Sequence, residues 1–236
     1  FVFDHYAPCP DAKSAANHKA MREFAQKNDL RFHFDTNCGV CHQVMPEAGL
    51  IYPGMIIVAT DSHTTTHGAF GALGTGCGAT DMACILMTGE LWFRVPEIIE
   101  IRLEGKPQKG VYPKDVILNV LGRIRADGAV YKAIDFTGSY IDALDIPGRM
   151  TICNMAVEMG AKTAYMQPNQ AVLDYVSPRA VRPYEVVTTD PDFVYAESHL
   201  FNVSEMEPVV SCPNDVDNVH PISEIAAQDI PLNQAY

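Results

Sequence analysis

An apolar run, Met55-Ile56-Ile57-Val58-Ala59, gives way within two residues to Asp61-Ser62-His63-Thr64-Thr65-Thr66-His67-Gly68. No other stretch restricts the fold so strongly. A short apolar run entered through the turn pair Pro53-Gly54 reads as a buried strand. A carboxylate, a hydroxyl and two imidazoles then follow its carboxyl end. Open α/β sheets keep their ligand chemistry in the crevice at the carboxyl ends of the strands. The segment therefore reads as the edge of an active site. Turn chemistry alone would explain Asp, Ser and Thr here, but fits poorly with two histidines in five residues.

Strand and helix signals alternate along the rest of the chain. Residues 1–3 and 30–34 read as strands. Asp11 caps a helix reaching about Asn28, with Ala12, Ala15, Ala16, Met21, Phe24 and Ala25 as its apolar stripe. Thr80 or Asp81 caps a second helix reaching about Trp92. Residues 97–104 alternate and stop at Gly105. Pro113 sits in the first turn of a helix whose Val116, Ile117, Val120, Leu121 and Ile124 share one face. A strand is expected over 129–136, a helix over 148–160 stopped by Gly160, and another helix over 168–176. Periodicity weakens after about residue 178. This alternation predicts an α/β fold with a largely parallel sheet. In such a sheet the ends of strands 1–3 and 55–59 share one edge, which brings Asp4-His5 to the Asp61 segment.

Composition narrows the function classes. The chain has 236 residues, 47% of them hydrophobic, enough for a real core. A net charge of −12 argues against nucleic acid or an anionic membrane as the main partner. It leaves room for a small anion at a local cationic site. No apolar run approaches the ~20 residues of a membrane span. Seven cysteines without a secretory signal predict reduced thiols and a cytoplasmic protein. The start, Phe1-Val2-Phe3-Asp4-His5, reads as the middle of a strand, so the chain is expected to come from something larger.

Several clusters invite chemistry. Asp4 beside His5 can tune a general acid, although a strand-end turn explains the pair as well. On an extended segment, Asp61 and His63 face one way and Ser62 the other. Gly74-x-Gly76-x-x-Ala79 fits a relaxed dinucleotide fingerprint but lacks a strand directly before it. Its backbone N–H groups suit a carboxylate better. Asn154 and Glu158, four apart, share a helix face that lines either a cavity or solvent. Cys38-x-x-Cys41 with His33 and His42 supplies four ligands on paper, as zinc requires. Residues 41–43 show no helix start of the kind a redox pair needs. Arg149, Lys114, Asp115, Arg179 and Arg182 read as surface or capping groups.

Four motifs in order carry a resemblance: Cys41-His42-Gln43, Asp61-Ser62-His63-Thr64, Pro113-Lys114-Asp115-Val116-Ile117-Leu118, and Thr151-Ile152-Cys153-Asn154-Met155. Together they are similar to the aconitase superfamily, nearest its 3-isopropylmalate dehydratase and homoaconitase large-subunit branch. Thr66-His67-Gly68-Ala69-Phe70-Gly71 favours that branch over aconitase proper. The resemblance runs from Asp4 to about Asn218.

It implies a three-layer α/β/α iron–sulfur domain that dehydrates and rehydrates a hydroxy-di- or tricarboxylic acid, in leucine biosynthesis if the acid is 3-isopropylmalate. It also implies a [4Fe–4S] cluster whose one cysteine-free iron acts as a Lewis acid, and a small-subunit partner. Carried over by motif, Asp4 and His5 protonate the leaving hydroxyl, and His42 pairs with Asp61. Ser62 contacts a substrate carboxylate. His63 lies near the open iron with Glu158 as its partner, and Asn154 stands beside the cluster. The family's cluster cysteines, in Cys-Thr-Asn-Gly-Arg and a later Cys-x-x-Cys, are not in this sequence and are expected beyond Tyr236. Its substrate arginines and serine base are not here either. Residues 1–236 are thus expected to be one partial domain, truncated at both ends, with no metal ligand of its own. Isopropylmalate, homocitrate or homoaconitate, and dimethylmalate remain open as substrates. A reading of another class is a non-catalytic metal-binding domain built on Cys38 and Cys41. Stoichiometric zinc lost in Cys38→Ser would favour it. On the first reading the isolated chain is expected to show no hydratase activity, and turnover of any 2- or 3-hydroxy acid by it would overturn that.

Overall fold

The computed structural model describes residues 1–231 and 234. Asp11 caps helix α1 (Ala12–Lys27), its carboxylate accepting from Ser14 N at 2.7 Å. The buried face is Ser14, His18 and Ala25, whereas Ala12, Ala15, Ala16 and Phe24 of the expected stripe are exposed. The strands expected over 1–3 and 30–34 reduce to one parallel bridge, Val2 to Phe34. Phe3 N donates to Phe34 O and Phe34 N to Phe1 O, but neither segment joins the sheet that leads to Asp61. Helix α2 (Cys41–Glu47) begins at the cysteine, which corrects the expectation of no helix start. Its capping group is remote in sequence: Asp4 Oδ2 accepts from Cys41 N at 2.6 Å. A first-turn N–H satisfied from outside the local sequence leaves no local signature.

The Pro53-Gly54 turn, with Gly54 at φ +77°, leads into β1 (Ile56–Ala59). This strand is less buried than its composition suggests: Ile57 is inside and Ile56 outside. It pairs in parallel with β2 (Leu73–Gly76), Ile56 opposite Leu73 and Ala59 opposite Gly76. Between them, Ser62–Phe70 winds as a 3₁₀ helix buried from Thr64 onward, not as the extended segment expected. Two glycines permit that path. A Cβ on Gly68 would lie 2.1 Å from Ala164 O, and one on Gly74 would lie 2.1 Å from Thr64 O. Helix α3 (Ala79–Thr88) follows Gly78 and stops at Gly89, φ +74°. Asp81 is its third residue rather than its cap, and takes Gly78 N at 3.2 Å.

The main sheet comprises β3 (Ile98–Glu104), β4 (Ala133–Thr137), β5 (Thr163–Tyr165) and β6 (Glu197–Asn202), all parallel, in the order β5-β4-β3-β6. Helix α4 (Pro113–Ile124) crosses between β3 and β4, and buries Val116, Ile117, Val120, Leu121 and Ile124 as expected. Helices α5 (Ser139–Asp142) and α6 (Ile146–Asn154) cross between β4 and β5. The helix expected over 148–160 changes at its middle: a 3₁₀ turn, Met155–Met159, completes it before Gly160. Helix α7 (Gln170–Val176) precedes β6. The weakly periodic region also folds, with β7 (Val209–Ser211) antiparallel to β8 (Val219–Pro221), then α8 (Ile222–Ile225). No helix among the described residues is long and apolar enough to cross a membrane.

Arg149, expected at the surface, is 0% exposed. Its guanidinium donates to Ala69 O at 2.9 Å, Ile141 O at 3.3 Å and Gln167 O at 2.8 Å. It thereby ties the end of the 3₁₀ segment to α5 and to the loop after β5. Burial lowers its pKa. Arg149→Met removes the donors and strands three buried carbonyls. At roughly 1–3 kcal/mol per unsatisfied group, it is expected to cost about 3 kcal/mol or more. Urea unfolding would show this as a lower midpoint at unchanged slope, and a loss under about 1 kcal/mol would refute it.

Candidate active site

Asp61 occupies the cap position of the 3₁₀ segment, immediately after β1. Its Oδ1 accepts from His63 N at 2.6 Å and from His42 Nε2 at 3.1 Å. Its Oδ2 lies 3.2 Å from His5 Nε2. One carboxylate thus gathers groups from the N-terminal segment, α2 and its own loop. The other nitrogen of His5, Nδ1, is 2.8 Å from Asp4 Oδ1. The convergence of Asp4-His5 with Asp61 is real. A shared sheet edge does not produce it, because residues 1–3 pair with Phe34 alone. It arises from the side-chain contacts and from Asp4 capping α2.

These contacts set the proton affinities. Carboxylates at both ring nitrogens favour the doubly protonated imidazole. The hydrogen bond to Asp4, then the charges of Asp4 and Asp61, raise the His5 pKa against a smaller opposing effect of burial. Burial pushes Asp4 up, but hydrogen bonds from Cys41 and His5 together hold it below the ordinary carboxylate range. Burial lowers His42 against the pull of Asp61. His67 stacks edge-on to His42, centroids 5.6 Å apart. Burial brings its pKa down to about 3, with the neighbouring His42 adding to the effect.

The opposite wall comes from α6 and the turn after it. His63 Nε2 lies 3.0 Å from Glu158 Oε1, and His63 Nδ1 is 3.1 Å from Ser62 Oγ. Asn154 donates to Thr66 Oγ1 at 2.9 Å, and Thr65 donates to Asn154 O at 3.3 Å. Asn154 and Glu158 therefore both face the Asp61 segment, although a change of helix type separates them. Every site residue expected from sequence lies in this neighbourhood: Asp4, His5, His42, Asp61, Ser62, His63, Asn154 and Glu158. Thr66, the partner of Asn154, was not singled out, since three consecutive threonines give no sign of which one turns inward. Among the described residues no Lys or Arg pairs with Asp4, Asp61 or Glu158; their recorded ion-pair partners are histidines.

Residues 5–235 match the aconitase family (aconitate hydratase). The chain belongs to the aconitase family. It is 50% identical to a probable methanogen homoaconitase large subunit of Methanothermobacter thermautotrophicus, over 97% of this chain and 54% of the relative. It is 46% identical to a probable 3-isopropylmalate dehydratase large subunit of the same organism, over 97% of this chain and 55% of the relative. The 3-isopropylmalate dehydratase large subunit of Heliobacterium modesticaldum is 46% identical, again over 97% and 55%. The chain spans about half the length of the curated relatives it matches.

The aconitase family implies an iron–sulfur cluster, held by cysteine thiolates. The thiols here do not suit that task. Cys153 is buried and Cys38 and Cys84 exposed, with Cys9, Cys41, Cys77 and Cys212 between. Among the described residues, the group of three ligand atoms within 4.8 Å of one another is Cys41, His42 and Asp61, with a single thiol. Burial and the nearby Asp4 and Asp61 also push the Cys41 thiol well up, away from thiolate. Cys38 and His33 fall outside that group, so the four-ligand zinc set is not assembled either.

The contrast between the histidines is measurable by imidazole NMR. His5 is expected to titrate above the ordinary 6.5, and His67 to stay neutral until about pH 3. By linkage, the His5 contribution to stability is present below its unfolded pKa and lost as pH rises through its folded one. The His67 contribution is present above pH 6.5 and lost as pH falls toward 3. Titration of both near 6.5 would contradict the packing described.

Proposed function

We propose that the chain forms part of the large subunit of a [4Fe–4S] hydro-lyase. It isomerises a hydroxy-di- or tricarboxylic acid by dehydration and rehydration, with 3-isopropylmalate as substrate. The observation that carries this reading is His5 held between Asp4 and Asp61. An imidazole with a carboxylate at each nitrogen holds its proton more tightly than a free one and remains accessible, its side chain 67% exposed. That is what protonating a departing hydroxyl requires.

The remaining residues take roles that suit their contacts. Asp4 orients His5 and raises its affinity for a proton. Asp61 fixes His42 and the His63 backbone together. His63, oriented by Glu158, and Ser62, hydrogen-bonded to the same ring, form the wall on which the acid lies, with the Ser62 hydroxyl free to turn toward a carboxylate. Asn154, held by Thr66 and Thr65, faces the same space. The cluster draws its cysteines from outside the described residues in this reading, and a small subunit completes the enzyme. The names of the relatives support both 3-isopropylmalate and homoaconitate as substrates, and the acid–base geometry serves either.

In the full-length, cluster-loaded enzyme with its small subunit, His63→Ala and Asp4→Asn are each expected to cut kcat roughly a hundredfold or more. Assay on 3-isopropylmalate and homoaconitate side by side identifies the substrate. Near-normal rates would remove both residues from the catalytic set. A wild-type enzyme that turned over neither acid would sink the substrate class.

A further inference from the structure

A thiol–imidazole pair is bonded to the main chain of His5, outside the group that Asp61 gathers. Cys9 Sγ is 3.2 Å from His18 Nδ1, and His18 Nε2 is 3.2 Å from the carbonyl oxygen of His5. A carbonyl oxygen can only accept, so Nε2 carries the ring hydrogen. Nδ1 of the neutral ring is then an acceptor, and the Cys9 S–H donates to it. Packing fixes this orientation. His18 is 6% exposed on the buried face of α1, and its ring centroid lies 5.0 Å from that of Phe3, itself buried. A nucleophile bonded to a base whose other nitrogen is held by a third group is the arrangement that activates a cysteine.

The other thiols lack this arrangement. Among the described residues the only further cysteine bonded to an imidazole is Cys41, 3.7 Å from His42 Nδ1, and burial and the Asp4 carboxylate push that thiol up. Burial also pushes up Cys77 and Cys153. Cys38 and Cys84 are exposed but have no base beside them. Cys9 is half-buried between Pro8 and Pro10, both exposed, so its segment lies open to a small reagent. The Arg22 guanidinium attracts the charge of a Cys9 thiolate, but it is already paired with Asp35 at 2.6 and 2.5 Å. His18 is therefore the group placed to take the thiol proton.

We propose that Cys9 is a site of reversible thiolation, which forms a mixed disulfide with a low-molecular-weight disulfide and thereby loosens His5. His18 Nδ1 takes the Cys9 proton, and the thiolate sulfur attacks one sulfur of the disulfide. The S–S bond of the reagent breaks as a new one forms to Cys9, and the leaving thiolate takes the proton from His18. The adduct has no S–H. Either Nδ1 is then left bare, or the ring hydrogen moves to Nδ1 and leaves His5 O without its donor. In both cases a buried group that held His5 in place loses a partner. The effect on turnover rests on the hydro-lyase reading, in which His5 is the acid; the reactivity of Cys9 does not.

The test uses the full-length holoenzyme with its small subunit, kept anaerobic. Under limiting iodoacetamide at neutral pH, peptide mass spectrometry should show Cys9 alkylated roughly tenfold or more faster than Cys9 of the same chain unfolded in urea. His18→Gln should bring it down to the unfolded rate. Equal rates in the folded and unfolded wild type, or a Cys9 rate that His18→Gln leaves unchanged, overturn the site, and the first comparison decides even where the variant fails to fold. With oxidised glutathione, the mixed disulfide should form first at Cys9 and lower kcat on 3-isopropylmalate or homoaconitate about tenfold, the scale of one lost hydrogen bond. Dithiothreitol should restore it. Cys9→Ser should begin at wild-type kcat and resist the disulfide. Thiolation at Cys9 with unchanged kcat overturns the coupling to His5. A reactive Cys9 in an enzyme that turns over neither acid keeps the modification site and discards the hydro-lyase. Turnover with an unreactive Cys9 does the reverse.

Discussion

The Asp61 carboxylate is the point on which the site depends. It accepts from a backbone N–H two residues on and from a histidine on α2, and it lies within ion-pair distance of a histidine in the N-terminal segment. Those three groups come from parts of the chain that share no sheet and no helix. A carboxylate in this position needs several donors, because a partly buried charge without them is costly. The same need fixes where the donors sit. Asp4 repeats the arrangement a step away, holding both His5 and the first N–H of α2. The acids therefore serve as structural hubs and as tuners of imidazole proton affinity at once, and neither role is separable from the other.

Placing Asp61 depends in turn on how the chain behind it packs. The 3₁₀ segment lies between β2 and β5, and at both contacts the backbones touch at glycine. A side chain on Gly68 or Gly74 would occupy a carbonyl oxygen's position. Arg149 then fastens the far end of the segment by its bond to Ala69 O. A buried guanidinium suits this because it reaches three carbonyls from different elements, which no apolar side chain could satisfy. The chemistry at the front of the segment and the buried cation at its back belong to one device.

This division explains what sequence could reveal. Asp61, His63 and Asp4-His5 were legible because carboxylates and imidazoles crowded into a few residues are unusual in an ordinary turn. Asp11 and the face of α4 were legible because capping and helical periodicity are local. Strand β2 was hidden because Leu-Gly-Thr-Gly has almost no strand propensity, and tertiary contact with β5 and the 3₁₀ segment supplies what propensity does not. The start of α2 was hidden because its cap is 37 residues away. Arg149 looked like a surface group because its acceptors are backbone carbonyls, which have no sequence identity. The four strands β5-β4-β3-β6 realised the parallel sheet, yet the strand at the N-terminus did not join it. The convergence it was meant to explain came instead from the hydrogen bonds of Asp4 and the ion pair between His5 and Asp61.

Charge gives the last constraint. Asp4, Asp61 and Glu158 line one site, and three bare carboxylates would repel one another and any anion within the ~8–10 Å screening length. Each acid, however, is paired with an imidazole, so its field is that of a dipole whenever the ring is protonated. His5 is driven toward that state by its hydrogen bond to Asp4 and the charges of Asp4 and Asp61. His67, deeply buried, is driven the other way and acts as a neutral packing partner for His42. His5 at the open edge and His67 at the back therefore depart from an ordinary imidazole in opposite directions, the first toward its charged form and the second toward its neutral one.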